Sequence, residues 1–183
     1  MNALQDALRI EAMERGYSFP TIAYAQLAEP KINITKVTGR TYNLEISDYM
    51  KDLPEDMARR YAATVMDAIT GSLPTIPEDI RTYIRETCRD KYLKRKAYIK
   101  SEDVRRITGC DLDAIAAALK RNGQLGEDII VAWTEDRQGS HISPTFRVIA
   151  IPLYLLEDDG MDGIVCEIIA NYRIMQTRTG ARA

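Results

Sequence analysis

The residues best suited to chemistry are one histidine and three cysteines. His141 is the only histidine in 183 residues, so it alone could supply an imidazole as general base. Ser140 and Ser143 lie close to it in sequence, a grouping that could form a serine–histidine pair. Polar loops of this composition are more often solvated turns. We therefore expect His141 to lie in a turn and predict no catalytic residue there.

The three cysteines, Cys88, Cys110 and Cys166, are far apart in the sequence. Together with His141 they could supply four zinc ligands, but no CxxC or HxxxH spacing supports such a site. Whether these four side chains approach one another is open at this point. An odd number of widely spaced cysteines is typical of reduced thiols in a cytoplasmic protein. We predict a cytoplasmic protein without a metal.

The chain also lacks the motifs that hold cofactors. It has no GxxxxGK[ST], GxGxxG or GxSxG, so neither a phosphate-binding loop nor a nucleophile elbow is expected. The acidic run from Glu157 to Asp162 lacks the alternating ligands and the closing glutamate of an EF-hand. We interpret it as a turn with a helix cap, and we predict no cofactor.

Positive charge is concentrated in the middle of the chain. Between Arg81 and Arg106 ten Lys or Arg face four acids, a local charge of +6 in a chain of net charge −2. Such a band could contact phosphates, although a solvated helix face is the more common explanation. The candidate binding residues are Arg85, Arg89, Lys94, Arg95, Lys96, Lys120 and Arg121.

Two short helices are predicted next to this band. Ser101 begins the first, which ends near Gly109, and Asp111 caps the second, which Asn122 and Gly123 end. Followed by a hairpin, they give the order of a winged helix-turn-helix over about 101–151. The exposed positions of the second helix, mostly acids and alanines, are unsuited to base edges or phosphates. We therefore favour helices that cover a sheet.

The first part of the chain predicts a helix, a hairpin and a second helix. Leu4, Leu8 and Ala12 have helical spacing within 2–15, and Gly16 ends that pattern. Alternating apolar residues predict a hairpin over 32–46, with its turn at 38–40. Pro54 and two acids begin the next helix, which Gly71 ends. Its predicted buried residues are Met57, Tyr61, Val65, Ala68 and Ile69.

A later segment has a similar order. Residues 129–134 and 146–151 predict two strands joined by the polar loop 135–143, and 164–175 predicts a buried helix. We expect a loose tail over 177–183. Four positions of the earlier segment align with four of the later one: Leu44, Ile46, Tyr49 and Met50 with Ile149, Ile151, Tyr154 and Leu155. The alignment suggests an internal repeat, although unrelated hairpin-and-helix units would also align this well.

These elements predict an α+β fold in which hairpins or a mixed sheet pack against helices. We expect one domain over 1–183, with 77–125 as its helical, basic middle. No apolar run reaches the roughly 18 residues that a membrane helix needs, and the first 16 residues carry charges where a secretory signal would be apolar. Neither membrane insertion nor export is expected.

Residues 92–176 carry a family resemblance. In order, they contain YLKRKAYI, DLDAIAAALKRNGQL, VAWTEDRQG and FRVIAIPLYLL, followed by an acidic turn and an apolar helix. This order resembles the archaeal SprT-like metallopeptidases, and residues 31–70 fit the same kind of protein more loosely. The resemblance implies a zincin-type scaffold with a zinc-binding HExxH on the last helix.

That motif is missing here. HExxH works because two imidazoles one helical turn apart bind Zn²⁺ while the glutamate takes a proton from the bound water. The matching positions hold Cys166-Glu167-Ile168-Ile169-Ala170, or Asn171-Tyr172-Arg173-Ile174-Met175 if no gap is inserted. Neither frame supplies two ligands. Glu167 keeps the place of the general base and is a weak catalytic candidate, although a half-buried structural carboxylate is the more common role.

We therefore expect a pseudoenzyme, a metallopeptidase-like protein that binds a macromolecule or associates with itself. The partner would be an unidentified protein or a second copy of the chain. Two alternatives stay open. One is a nucleic-acid-binding protein that uses the segment 101–151, and the other is a residual hydrolase that uses Glu167 and Cys166.

Overall fold

A computed structural model describes residues 2–71 and 76–180, the last three as backbone only. The predicted α+β class is confirmed, because helices and two small mixed sheets make up the described chain. The chain divides into two compact units, Met1–Cys88 and Arg89–Ala183, and the boundary falls within one helix. The expectation of one domain over 1–183 stays a prediction. No helix in the described part is long and apolar enough to cross a membrane.

The first unit consists of three strands, two complete helices and the beginning of a third. In chain order these are α1 (Ala3–Glu14), β1 (Ile22–Ala25), β2 (Ile32–Thr38), β3 (Thr41–Ser47), a 3₁₀ turn (Asp48–Met50), α2 (Glu55–Ile69) and the start of α3 (Glu78–Lys96). The 32–46 hairpin is confirmed as β2 and β3, with Gly39 in the left-handed region at the turn. The short strand β1 was not predicted.

The sheet of the first unit has the order β1-β3-β2. β3 is central, parallel to β1 and antiparallel to β2. Leu44 and Ile46 of β3 are buried, and directly paired residues share a face of the sheet, so the core lies on that face.

Helix α1 packs on α2 as the periodicity predicts. Leu4, Leu8 and Ala12 are buried, and the Asn2 side chain caps the helix by accepting a hydrogen bond from the Leu4 N–H. The predicted stripe of α2 is right at Tyr61 and Val65. It is wrong at Met57, Ala68 and Ile69, which are half-buried, while Ala58, Ala62 and Met66 are buried instead. The buried face of α2 thus includes two alanines, and α1 packs on this helix.

The second unit contains the rest of α3, four further helices and three strands. These are α4 (Ser101–Thr108), α5 (Leu112–Arg121), β4 (Ile130–Thr134), β5 (His141–Ser143), β6 (Val148–Pro152), α6 (Tyr154–Asp158) and α7 (Gly160–Gly180). Gly109 ends α4 in the left-handed region, and the Asp111 side chain caps α5 by accepting from the Ala114 N–H at 3.0 Å. The predicted end of α4 near Gly109 and the predicted Asp111 cap of α5 are both confirmed.

The strand pairing of this unit differs from the expected hairpin. β4 and β6 are neighbours but run parallel, and β5, inside the predicted loop, pairs antiparallel with the other edge of β6. The sheet order is therefore β4-β6-β5. The 13 residues between β4 and β6 are enough for the chain to cross back, and β6, buried along its whole length, needs a partner at each edge.

The two units share one sheet topology. In each, the third strand is central, the first strand is parallel to it and the second is antiparallel. Leu44 and Ile149 occupy corresponding places, since they pair with Ile22 and Val131 on the parallel side. A short helical turn and a long helix follow in both. The repeat suggested by the sequence thus extends to strand order and direction.

The predicted loose tail is wrong up to Gly180, where α7 ends. Its remaining residues, 181–183, lie outside the described residues. No proline interrupts the helix there, and the Thr177 hydroxyl donates back to the Ile174 carbonyl at 2.8 Å.

We expect Leu8→Ala to lower the free energy of unfolding by about 2–5 kcal/mol, because the side chain is fully buried between the helices of the first unit. The matched control is Ile10→Ala on the exposed side of α1, where we expect a change below about 0.5 kcal/mol. Urea unfolding followed by circular dichroism measures both. Equal effects would contradict the assigned faces of α1.

Candidate functional site

Helix α7 carries the positions that correspond to HExxH in the resemblance. One of its faces is buried through Ile164, Ile168, Asn171 and Met175. The three apolar members belong to the same core as Trp133 of β4 and Ile149 and Ile151 of β6. This spacing places every third or fourth residue of α7 on the sheet. Val165, Ile169 and Tyr172 are half-buried at the margin of this core, whereas Cys166, Ala170 and Arg173 are exposed.

Glu167 is held by its own helix. Its carboxylate Oε1 accepts a hydrogen bond from the Asn171 Nδ2 at 2.9 Å, and the same amide donates to the Glu167 carbonyl at 2.9 Å. Cys166 and Ala170, one helical turn apart, are both exposed. The carboxylate therefore has a local structural partner, and Ala170, at the place of the second histidine, has no atom that could ligate a metal.

The alternative frame, residues 171–175, also supplies no pair of exposed ligands. Asn171 and Met175 are buried in the core and Tyr172 is half-buried, so the two ends of that frame face the sheet. Over residues 2–71 and 76–180, no group of three or more His, Cys, Asp or Glu side chains could hold a metal ion.

The three cysteines are free thiols in different surroundings. Cys88, in the first unit, is half-buried and its thiol donates to the Tyr49 carbonyl at 3.6 Å. In the second unit Cys110 is buried, and burial raises the pKa of its thiol. Cys166 is exposed on α7. Only Cys166 is accessible enough to react readily with solutes.

His141 belongs to a hydrogen-bonded chain of rings. Its Nε2 is 2.7 Å from the Tyr98 Oη, which is 3.3 Å from the Tyr92 Oη. Tyr92 in turn stacks on Phe146 with ring centroids 4.2 Å apart. The sequence did not indicate this chain, because 43 residues separate Tyr98 from His141.

The serines near His141 do not form a catalytic pair with it. The Ser143 Oγ accepts a hydrogen bond from the Phe146 N–H at 3.3 Å and so closes the turn before β6. The Ser140 Oγ is buried and has no hydrogen-bond partner among the described residues. His141 itself lies in β5, so the expected turn is a short edge strand there.

Burial lowers the pKa of His141 below its ordinary value of 6.5, and the Lys96 ammonium lowers it further. Asp136 acts in the opposite direction with a smaller effect. The neutral imidazole is therefore the form that the folded chain favours, and it suits the hydrogen bond with Tyr98.

The candidate basic residues do not share a single role. Arg85, in the first unit, donates to the Thr82 Oγ1 at 3.0 Å on its own helix. In the second unit Arg89 donates to the Asp128 carbonyl at 2.6 Å, and Lys120 donates to the Glu127 carbonyl at 3.0 Å. Lys96 lies 5.7 Å from the centre of the Tyr92 ring. Lys94 and Arg121 are exposed and Arg95 is half-buried.

The turn before β4 is thus the place where several cations meet. Arg147, in the left-handed region, adds a two-point pair with the Asp128 carboxylate at 2.8 and 3.1 Å. Arg89, Lys120 and Arg147 hold this turn from three elements. They act as local supports and do not form an open surface for phosphates.

The helix-turn-helix order is present in α4 and α5, but its charges are internally paired. Arg105 lies 3.0 Å from Asp111, and Arg106 is 3.4 Å from Glu102. The exposed residues of α5 include Asp113 and Ala114. β4 pairs in parallel with β6, and the antiparallel hairpin that follows α5, β5 with β6, has an outer strand of only three residues. These features are poorly suited to binding a phosphate backbone.

A cavity of about 390 Å³ opens at the carboxyl ends of the parallel strands β4 and β6. It is lined by Glu135 and Arg137, which follow β4, and by Leu153, Tyr154 and Glu157, which follow β6. The carboxyl ends of parallel strands are a common place for ligands. Its lining carries both signs of charge. Sequence reasoning missed the cavity because it depends on the unexpected parallel pairing.

Comparison of the chain with protein-family models, with curated proteins and with solved structures finds no match in any of the three. The class of the molecule is therefore the one that its own fold defines, an α+β protein with two units of equal sheet topology.

We expect the protein to lose stability as the pH falls through the ordinary histidine pKa of 6.5, since the unfolded chain binds a proton at His141 more readily than the folded chain does. The loss begins near the ordinary pKa of 6.5 and levels off below the lowered one. Urea unfolding at several pH values measures it, and His141→Gln, which keeps a hydrogen-bonding side chain without titrating, should flatten the dependence.

Because His141 is the only histidine, its ring protons give one titrating set of NMR signals. A midpoint at or above 6.5, or an equal pH dependence in His141→Gln and wild type, would contradict the assigned burial.

Proposed function

We propose that this protein is a pseudoenzyme of the SprT-like, zincin type, which acts by binding a second copy of itself through the outer face of α7. The observation that carries the proposal is the exposure of Cys166 and Ala170. These two positions correspond to the zinc ligands of that family, and here they offer small apolar surface to solvent. The exposed thiol and the absence of disulfides also favour our placement of the protein in the cytoplasm.

The outer face of α7, defined by Cys166, Ala170 and Ile174, is an exposed stripe with helical spacing. Ile174 is 44% exposed, and each residue follows the last by one turn. The opposite face of the same helix is buried in the core. A helix that is apolar on two opposite faces is typically covered on both, so its outer face requires a partner.

The charged residues beside the stripe are complementary to those of a second copy of the chain. Glu167 and Arg173 lie three residues before and three residues after Ala170, and Arg173 is exposed. If two α7 helices pack antiparallel with Ala170 at the crossing, Glu167 of each lies opposite Arg173 of the other. A two-fold contact of this kind satisfies both charges at once, and the small central residue allows close approach. The second copy is therefore the occupant we propose.

The pairing has a defined register, which a disulfide can test. Cys166 should lie opposite Ile174 of the second copy, whereas the two native cysteines are about 12 Å apart along the axis. We expect Ile174→Cys to form an intermolecular disulfide under mild oxidation, because the new thiol then faces Cys166. Non-reducing electrophoresis and light scattering measure the dimer.

The matched control is Ile107→Cys, a thiol on α4 at a position that is 85% exposed. We expect little disulfide-linked dimer from this control. We also expect none from the double variant Ile174→Cys, Cys166→Ser, because the proposed bond requires Cys166. Equal dimer in all three variants, or a monomeric wild type at about 1 mM, would refute the self-association.

Charge reversal tests the same register without a thiol. We expect Glu167→Arg to weaken the dimer about tenfold, because two cations then face each other, and Glu167→Arg with Arg173→Glu to recover most of the loss. Sedimentation measures the dissociation constants, and circular dichroism confirms that each variant folds. A double variant as weak as the single one contradicts the pairing.

Nucleic-acid binding by 101–151 and residual hydrolysis by Glu167 are the competing hypotheses. The ion pairs of α4 and the hydrogen bond from Asn171 to Glu167 support neither. We expect no retention of the protein on duplex DNA at about 50 mM salt, where phosphate contacts are strongest. Retention that falls steeply with added salt would favour the nucleic-acid hypothesis over ours.

A further inference from the structure

The strand β2 leaves one long edge of the first sheet open. The sheet order places β2 at an edge, and among the residues described no strand pairs with its outer side. Its exposure is unusual for a strand, because every residue from Ile34 to Thr38 is exposed. Ile34 is 37% exposed and Val37 is 54% exposed. Long exposed edges with apolar residues are natural sites for pairing with another strand.

The register decides which backbone groups point outward. The Ser47 N–H donates to the Lys31 carbonyl at 2.9 Å, so residue 31 faces β3 and, by alternation, so do Asn33 and Thr35. The Leu44 N–H, opposite Ile34, instead donates away from β2 to the Thr21 carbonyl.

The N–H and C=O groups of Ile32, Ile34 and Lys36 therefore point away from the sheet. Three donors and three acceptors are regularly spaced along this edge. That row is the template an added strand requires.

The charge around this edge indicates what would pair with it. Lys31, Lys36 and Arg40 are exposed on the hairpin, and its one acid, Glu45, accepts a hydrogen bond from the Asn33 amide at 2.8 Å. A second copy of β2 would bring four lysines to one seam, which disfavours self-pairing. An acidic strand would be attracted instead.

The corresponding edge of the second unit lacks these properties. β5 has only three residues, one buried and two half-buried. A strand this short offers too few outward groups for an added strand, which is one of the ways in which proteins protect an edge. The open edge is thus specific to the first unit.

We propose that the outer edge of β2 binds an extended, acidic peptide segment of a partner protein as an added β-strand. Backbone hydrogen bonds to Ile32, Ile34 and Lys36 give the affinity, an apolar peptide side chain covers Ile34, and acids face Lys31 and Lys36. The site lies on the first unit, goes beyond the self-association through α7 and does not depend on it.

The test uses the full chain and two synthetic peptides, acetyl-EETVTEE-amide and its lysine counterpart acetyl-KKTVTKK-amide. Side chains alternate along a strand, so Ile34 and Lys36 share one face and Lys31 lies on the other; the central valine covers Ile34, and the paired acids at each end place one acid opposite each lysine. We expect the acidic peptide to bind and the basic one to bind at least about tenfold more weakly. Amide hydrogen exchange followed by NMR should then slow at Ile32, Ile34 and Lys36. The amides of Asn33 and Thr35, which face β3, should change little.

Two variants examine the edge itself. Ile34→Pro removes an outward N–H that the ladder with β3 does not use, so we expect the sheet to fold and peptide binding to fall at least about tenfold. Lys36→Glu should reverse the preference, so that the basic peptide binds more tightly than the acidic one. Lys51→Glu, an exposed lysine of the same unit outside the hairpin, is the control for net charge and should bind as wild type does.

The opposite results overturn the proposal. One such result is that wild type does not bind the acidic peptide at about 1 mM. Another is that a folded Ile34→Pro binds it as well as wild type does. A third is protection of the Asn33 and Thr35 amides in place of the outward ones. A dimer of the wild type that Ile34→Pro abolishes would replace the acidic segment by a second copy. The Ile174→Cys disulfide reports on α7 separately, so failure of one proposal is distinguishable from failure of the other.

Discussion

The structure depends on one constraint, the need of a buried central strand for partners at both edges. β6 is buried at all five positions, and its backbone groups have no water to bind. β4 satisfies one edge in the parallel direction and β5 the other in the antiparallel direction. That pairing fixes where α7 packs, where the cavity at the strand ends opens, and why His141 reaches Tyr98. β3 is also paired at both edges in the first unit, although it is buried at only three of its seven positions, and its outer partner β2 is mostly exposed.

Local patterns predicted the elements whose signals lie within a few residues. Helix α1, the 32–46 hairpin and the cap of α5 follow from periodicity, alternation and a capping acid, and all are present. The parallel pairing of β4 with β6 was not predictable in this way, because nothing local distinguishes a parallel from an antiparallel neighbour. Strand β5 was missed because three residues in a polar loop are too few for alternation to be visible.

The site was predictable in position but not in its contacts. Sequence order located Glu167, and helical spacing placed Asn171 one turn after it, but spacing alone does not specify the hydrogen bond between their side chains. The basic residues show the same limit more clearly. Their positive charge was predicted correctly, but Arg89 and Lys120 donate hydrogen bonds to the turn before β4. That contact depends on where the turn lies in space. A count of charges along the sequence contains no information about the position of that turn.

On our proposal, the loss of metal ligands and the gain of a docking surface are linked on α7. A histidine needs its ring aimed at a metal, whereas cysteine and alanine leave the helix surface low and apolar, so Cys166 and Ala170 would allow close approach where the family it resembles binds zinc. The two proposals place different kinds of contact on the two units. The second unit exposes a helix face and keeps its edge strand short, while the first covers α2 with α1 and extends its edge strand. The central strand of each sheet constrains the core that packs on it, so the outer surfaces of the two units can differ while their strand order stays the same.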